Sequence, residues 1–141
     1  MKVCPDTNCW IESGLDSSPR RRSGGERVDV FLSTLVLQEL WAGARTAADR
    51  AYAERVYVIA SRHRRILNPP AAAWILSGQA LQLLARRSRY GPARLRSLRN
   101  DVLLAATALM HGAAVMTRNR ADFLRIAEVL PVRVVSPGLT P

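Results

Sequence analysis

Four carboxylates stand out in a chain with 20 arginines, a single lysine and only 11 acidic residues. Asp6 closes the short stretch KVCP, and Glu39 sits inside the otherwise apolar LVLQELWAG. Asp101 precedes VLLAATALM, and Asp122 follows AAVMTRNRA. A charge among leucines is costly unless it meets water, a partner or an ion. Four carboxylates gathered at one edge would repel one another strongly unless a cation neutralised them. An all-oxygen donor set of that kind suits Mg²⁺ or Mn²⁺ rather than zinc. Each acid also has a plainer explanation. An Asp at a helix start commonly caps backbone N–H groups, and a lone Glu on an amphipathic helix commonly faces solvent. Other chemistries have weaker support. Cys4 and Cys9 lack metal-pair spacing and read as free buried thiols. Ser33 has no evident histidine partner, and His63 and His111 fall near helix ends, where surface or capping roles suffice.

The elements that would position these acids alternate between strand and helix. Residues 2–6 form a short strand ended by Pro5, which lacks an N–H to donate. Thr7 caps a brief helix to about residue 14, and the polar stretch 13–27 (SGLDSSPRRRSGGER) reads as a surface loop. Residues 29–33 (DVFLS) return as a buried strand, Thr34 starts a helix ended by Gly43, and a second helix runs from about Ala47 to His63. Residues 65–68 suit an edge strand before Pro69 and Pro70, and Ala72 to about Arg87 keeps a helical period. The stretch 86–100 (RRSRYGPARLRSLRN) reads as a basic connection, after which Asn100 or Asp101 caps a helix stopped at Gly112. AAVMT is a buried strand, residues 119–130 a helix and VRVVS a final strand. Strands joined through helices imply a parallel sheet covered on both faces. The expected fold class is therefore α/β, a single three-layer α/β/α sandwich with a mainly parallel central sheet, in one domain spanning residues 1–141. A site in such a sheet lies beyond the carboxyl ends of the strands, where strand order switches direction.

A formal charge of +10 favours a polyanionic partner, because arginine pairs bidentately with phosphate and stacks on bases. Arg86, Arg87, Arg89, Arg94, Arg96 and Arg99 fall within 14 residues that lead to Asp101, with Tyr90 among them, and Arg118 and Arg120 flank the route to Asp122. A charge run is usually a solvated face. This one borders the acids, which fits an RNA-guiding rim in which bases could stack on Tyr90 or Trp41. No stretch approaches the roughly 20 apolar residues of a membrane span, and no signal-peptide core is evident. A cytoplasmic protein is the expectation.

DTN at 6–8, STLVLQELWAG at 33–43, NDVLLAATALMHGA at 100–113 and VMTRNRADF at 115–123 together resemble the PIN-domain ribonucleases, and among these the VapC toxins of bacterial toxin–antitoxin pairs. The four motifs occur in the family's order and span nearly the whole chain. The resemblance implies that Asp6, Glu39, Asp101 and Asp122 correspond to the family's metal-binding acids. It places Thr7 and Asn8 on the polar positions after the first acid, and Thr117 and Asn119 on those beside the last. It further implies Mg²⁺- or Mn²⁺-dependent hydrolysis of RNA, a cognate antitoxin and a homodimer. Leu37, Trp41, Tyr52 and Val56 are candidates for an apolar antitoxin groove, with ordinary intradomain packing as the alternative.

Two other classes compete. A non-catalytic nucleic-acid-binding or regulatory module on the same fold would keep the acids as caps. A receiver domain or phosphohydrolase would need a late lysine or a DxD pair, and this chain has Lys2 alone and no DxD.

Overall fold

The central strand is four residues long. β1 (Lys2–Pro5) pairs in parallel on one side and in parallel on the other, and its Val3 and Cys4 are fully buried. The computed structural model describes residues 1–18, 20–22 and 25–140. After β1 come α1 (Thr7–Ser13), β2 (Arg20–Arg22), β3 (Arg27–Val30), β4 (Leu32–Ser33), α2 (Thr34–Gly43) and α3 (Ala47–Arg62). Then follow β5 (Ile66–Leu67), α4 (Ala71–Arg87), α5 (Pro92–Met110), β6 (Ala114–Met116), α6 (Arg120–Ala127), β7 (Val134–Val135) and β8 (Leu139–Thr140). The main sheet runs in the order β7-β6-β1-β3-β2-β8. Its β7, β6, β1 and β3 are mutually parallel, while β2 is antiparallel to both β3 and β8. Helices cover the sheet, so the mainly parallel α/β architecture expected from the sequence is present.

This order creates a crevice. The chain leaves β1 toward β3 on one side and leaves β6 toward β7 on the other, so the connections diverge at the carboxyl ends of β1 and β6. Such a switch point is where open α/β sheets bind ligands. Asp6 follows β1 and Thr117 follows β6.

Several local expectations need correction. The polar stretch 13–27 is not simply a loop. Leu15 and Ser17 are buried, Arg20–Arg22 forms a strand against β3, and only Pro19, Ser23 and Gly24 of this stretch lie outside the described residues. DVFLS is also not one strand. Phe31 N donates to Val3 O at 2.9 Å, but Leu32 N donates to Arg65 O at 2.8 Å. The chain thus changes partner between these residues, and β4 pairs with β5 in a separate parallel pair.

The third correction bears on the site. The basic connection 86–100 is mostly the first half of α5, a 19-residue helix with Gly91 as N-cap and Pro92 in its first turn. Leu95, Leu98 and Val102 keep the 3- and 4-residue spacing of a buried face. Arginine is a good helix former, so the charges lie on the outer face of a continuous helix. Asn100 and Asp101 are therefore interior helix residues rather than caps. Likewise Asp6, not Thr7, caps α1: its Oδ1 accepts from Cys9 N at 2.8 Å.

Trp10 ties α1 to the sheet. It is fully buried, and its Nε1 donates to Pro5 O at 3.2 Å. Tyr52 of α3 donates its hydroxyl to Trp10 O at 2.6 Å, with Leu15 O at 3.0 Å. Trp10→Ala should destabilise the fold by about 3–5 kcal/mol, as large aromatic truncations do. A lower urea midpoint with unchanged slope would register that loss.

Candidate active site

Asp6 connects three elements. Its Oδ1 caps α1, and its Oδ2 accepts a 2.6 Å hydrogen bond from Thr117 Oγ1. Thr117 Oγ1 in turn accepts from Asn119 N at 2.9 Å, so the hydroxyl proton is directed at Asp6. Both residues are buried. The carboxylate at the end of β1 is thus anchored to the end of β6 and oriented toward the crevice between them.

Glu39 is reached from two sides. Thr7 Oγ1 donates a short hydrogen bond to Oε2, and Asn100 Nδ2 donates to Oε1 at 2.8 Å. α2 therefore presents Glu39 to α1 and α5, one turn from the buried Val36, which lines the same cleft. Asp6, Thr7, Asn8, Glu39, Asn100, Asp101 and Asn119 line a single cleft of about 120 Å³, with Leu35, Val36 and Leu104 as its apolar wall. Asn100 was expected only as a cap. Its place beside Asp101 inside a helix is the signal that would have marked it as a partner for Glu39.

Asp101 carries the cleft's electrostatic signature. Its carboxyl is pushed up to about 7. Burial is the largest cause, followed by the negative charges of Glu39, Asp6 and Asp122, while Arg94 opposes them. Cys9, next to Asp6, is held up at about 12 by burial and by that carboxylate, and Cys4 likewise, chiefly by burial. Both thiols are free and buried, so neither offers a thiolate.

Asp122 stands apart from the other three acids. Arg94, two turns before Asp101 on α5, makes a short ion pair with its Oδ1, and Asn119 Nδ2 donates to its Oδ2 at 3.0 Å. Asp122 does not line the cleft, although its charge reaches Asp101. Among the described residues, no three His, Cys, Asp or Glu side chains meet in an arrangement that could hold a metal ion as they stand. The donor set nevertheless fits a hard divalent cation. It is all oxygen, and the Asp101 carboxyl is raised by burial and by its neighbours' negative charge, the second of which a cation would cancel.

The expected RNA-binding arginines divide into groups. Arg96 and Arg99 line a groove that shares Glu39, Asn100 and Asp101 with the cleft. Arg86, Arg87 and Arg89 lie at or beyond the end of α4, and the start of α5 alone is roughly 14 Å from Asp101 at 1.5 Å per residue. Arg118 pairs with Glu12 at 2.9 Å, and Arg120 donates to Ser136 Oγ at 2.9 Å. Neither lines the cleft. Tyr90 is partly buried, with the Arg94 guanidinium 5.7 Å from its ring centroid. His111 faces Asn68 O at 3.0 Å and His63 ends α3, as expected of residues outside the chemistry.

The raised carboxyl of Asp101 gives a stability prediction with a definite sign. The native state holds this proton more tightly than the unfolded chain, so metal-free protein loses stability as pH rises from about 4 through about 7. Asp101→Asn should remove that loss, raising the melting temperature at pH 8 and changing it little at pH 4. Thermal melts in a chelating buffer at the two pH values test this.

Residues 3–129 match the PIN domain family. No curated protein sequence matches the chain. Several solved structures share its fold. A chain of DNA-bound VapBC from Salmonella typhimurium aligns with a TM-score of 0.65 at 23% identity, over 96% of this chain and 98% of that one. A chain of VapBC2 from Rickettsia felis, bound to a DNA fragment from its promoter, aligns with a TM-score of 0.63 at 19% identity, over 97% and 99%. VapBC-5 from Mycobacterium tuberculosis, of the VapBC family of toxin–antitoxin systems, gives 0.63 at 20% identity, over 96% and 98%. With the sheet order, the switch-point cleft and a family match across most of its length in agreement, the chain belongs to the PIN domain family.

Proposed function

We propose that this protein is a metal-dependent endoribonuclease, the VapC-like toxin of a toxin–antitoxin pair. The observation that carries this is the crowded cleft: Asp101 held at about 7 by burial and by Glu39, Asp6 and Asp122, at the switch point of the sheet. In this proposal Asp6, Glu39 and Asp101 hold Mg²⁺ or Mn²⁺, and Asp122 joins them directly or through water. A bound ion would supply an activated water and stabilise charge on the phosphodiester and its leaving oxygen.

The chain's own groups prepare that chemistry. Thr117 and the start of α1 fix both oxygens of Asp6, so it enters with one orientation. Thr7 and Asn100 do the same for Glu39. Asn119 links the Thr117 turn to Asp122, and Arg94 tethers Asp122 through an ion pair. Asn8 is exposed at the cleft wall, where its amide can meet a phosphate oxygen. Arg96 and Arg99 offset the repulsion between an acidic cleft and an incoming RNA backbone.

An antitoxin has a place to bind. Ile11, Leu40, Gly43, Ala44, Ala48 and Tyr52 border a groove of about 350 Å³ that also touches Glu39, and Ile11 is among the most exposed apolar residues. Of the residues expected there, Val56 is instead core, and Tyr52 has its hydroxyl committed to the backbone. An apolar antitoxin segment in this groove ends beside the cleft and can block it. No helix among the described residues is long and apolar enough to cross a membrane.

One observation favours a second function, a non-catalytic nucleic-acid-binding module. Asp6 caps a helix, Glu39 accepts two hydrogen bonds and Asp122 is ion-paired, so three acids have structural roles of their own. Cleavage separates the two. Purified protein should cut single-stranded RNA with Mn²⁺ or Mg²⁺ and stop on chelation. Asp6→Asn and Asp101→Asn should abolish cutting, and the support variants Asn100→Ala and Thr117→Val should lower it about 10–100-fold. RNA binding without cutting under any divalent ion selects the binding module. Ile11→Glu should release a co-expressed antitoxin from an affinity-tagged copy while leaving cleavage intact; retention of the antitoxin argues against this groove.

A further inference from the structure

A second groove opens from the cleft on the opposite side of Glu39. It measures about 540 Å³ and lies between α2, α4 and α5. Leu35, Glu39, Asn100 and Asp101 belong to both spaces, so the groove leads directly to the acids. Its two rims differ in chemistry. α5 contributes Arg96, Ser97 and Arg99, and α4 contributes Trp74, which is 58% exposed. Beside Trp74 the floor is low. Gly78 has open space where a Cβ would be, and Ser77 turns its hydroxyl back onto Trp74 O at 3.0 Å.

An exposed indole on one rim and guanidinium groups on the other, with a route to an acidic cleft, suit one class of occupant. Single-stranded nucleic acid presents flat bases on one side and phosphates on the other, and binds by stacking on aromatics while basic groups track its backbone. Double-stranded RNA hides its base faces and is held by backbone and groove contacts. The other aromatic candidate near the basic run is already occupied, since Arg94 lies over Tyr90.

We infer that Trp74 is a stacking platform for an unpaired base next to the cut site, with Arg96 and Arg99 gripping the adjoining phosphates. This assigns Trp74 as a residue that positions the single-stranded RNA of the proposed reaction. The inference rests on the nuclease proposal for its direction toward the cleft, but binding can be measured without cutting.

The test uses a fluorescein-labelled single-stranded RNA dodecamer in EDTA, followed by anisotropy over a salt series. Trp74→Ala should weaken binding at least about fivefold with an unchanged salt slope, and Trp74→Phe should keep most of the affinity. Arg96→Ala and Arg99→Ala should each flatten the slope by about 0.7, the value for one lost phosphate contact on a single strand. In a Trp41→Phe variant, whose remaining indoles are buried Trp10 and exposed Trp74, RNA should quench the emission. Unaltered affinity in Trp74→Ala, or no quenching, overturns the inference. So does conversion of a dimer to a monomer by Trp74→Ala at constant RNA affinity per protomer, which makes this face a contact between copies of the chain. Trp74-dependent binding without cleavage in Mn²⁺ would sink the nuclease proposal and leave the groove standing. Cleavage with Trp74-independent binding would do the reverse.

Discussion

The hydrogen bond from Thr117 to Asp6 is the contact on which the rest of the site depends. It joins the ends of two parallel strands that are 111 residues apart in the chain, at the place where their onward connections diverge. The same carboxylate caps α1, so one side chain ties the end of β6 to the start of the helix that carries Thr7 and Asn8. Thr7 then reaches Glu39, and Glu39 reaches Asn100. Sheet edge, α1, α2 and α5 are connected in series through these polar groups. Hydrogen-bonded networks of this kind hold position only when each member has its partner.

Stability and chemistry pull in opposite directions at Asp101. A carboxyl surrounded by burial and three other negative charges is a poor choice for holding a fold together. The surrounding structure tolerates it because α5 is anchored elsewhere: residues 102–106 are buried in an unbroken apolar run, and α5 packs along α4. Strain of this kind persists where the scaffold is strong enough to impose it. Arg94 offsets part of it by pairing with Asp122, at a distance of two helical turns from Asp101. The helix that creates the charge conflict also carries its partial remedy.

The distribution of arginine follows from the same helix. A connection would have spread the basic residues over a flexible surface. Because 92–110 is helical, Arg96 and Arg99 are brought to the acidic edge and Arg94 to Asp122, while Arg86, Arg87 and Arg89 stay at the far end. The net charge of +10 therefore has a direction. Only a minority of the arginines stands near the cleft, and Arg118 and Arg120 are held by Glu12 and Ser136.

The alternation of strand and helix and the mainly parallel sheet were legible in the sequence, because burial periodicity is a local signal, and isolated charges in apolar runs were enough to nominate the four acids. The buried thiols were legible for the same reason. The cap of α1, the split of DVFLS into two strands and the strand Arg20–Arg22 were not, since each depends on which distant backbone supplies a partner. The continuity of α5 was hidden by its arginines, which mark a solvated surface whether the backbone beneath is helix or loop. Most of all, residue types alone could nominate four carboxylates but could not orient them. Tertiary structure decided that Asp6, Glu39 and Asp101 share one cleft, that Asp122 turns to Arg94, and that Asn100 and Trp74 belong beside the site. Those outcomes are distances between elements far apart in the chain, and only packing sets them.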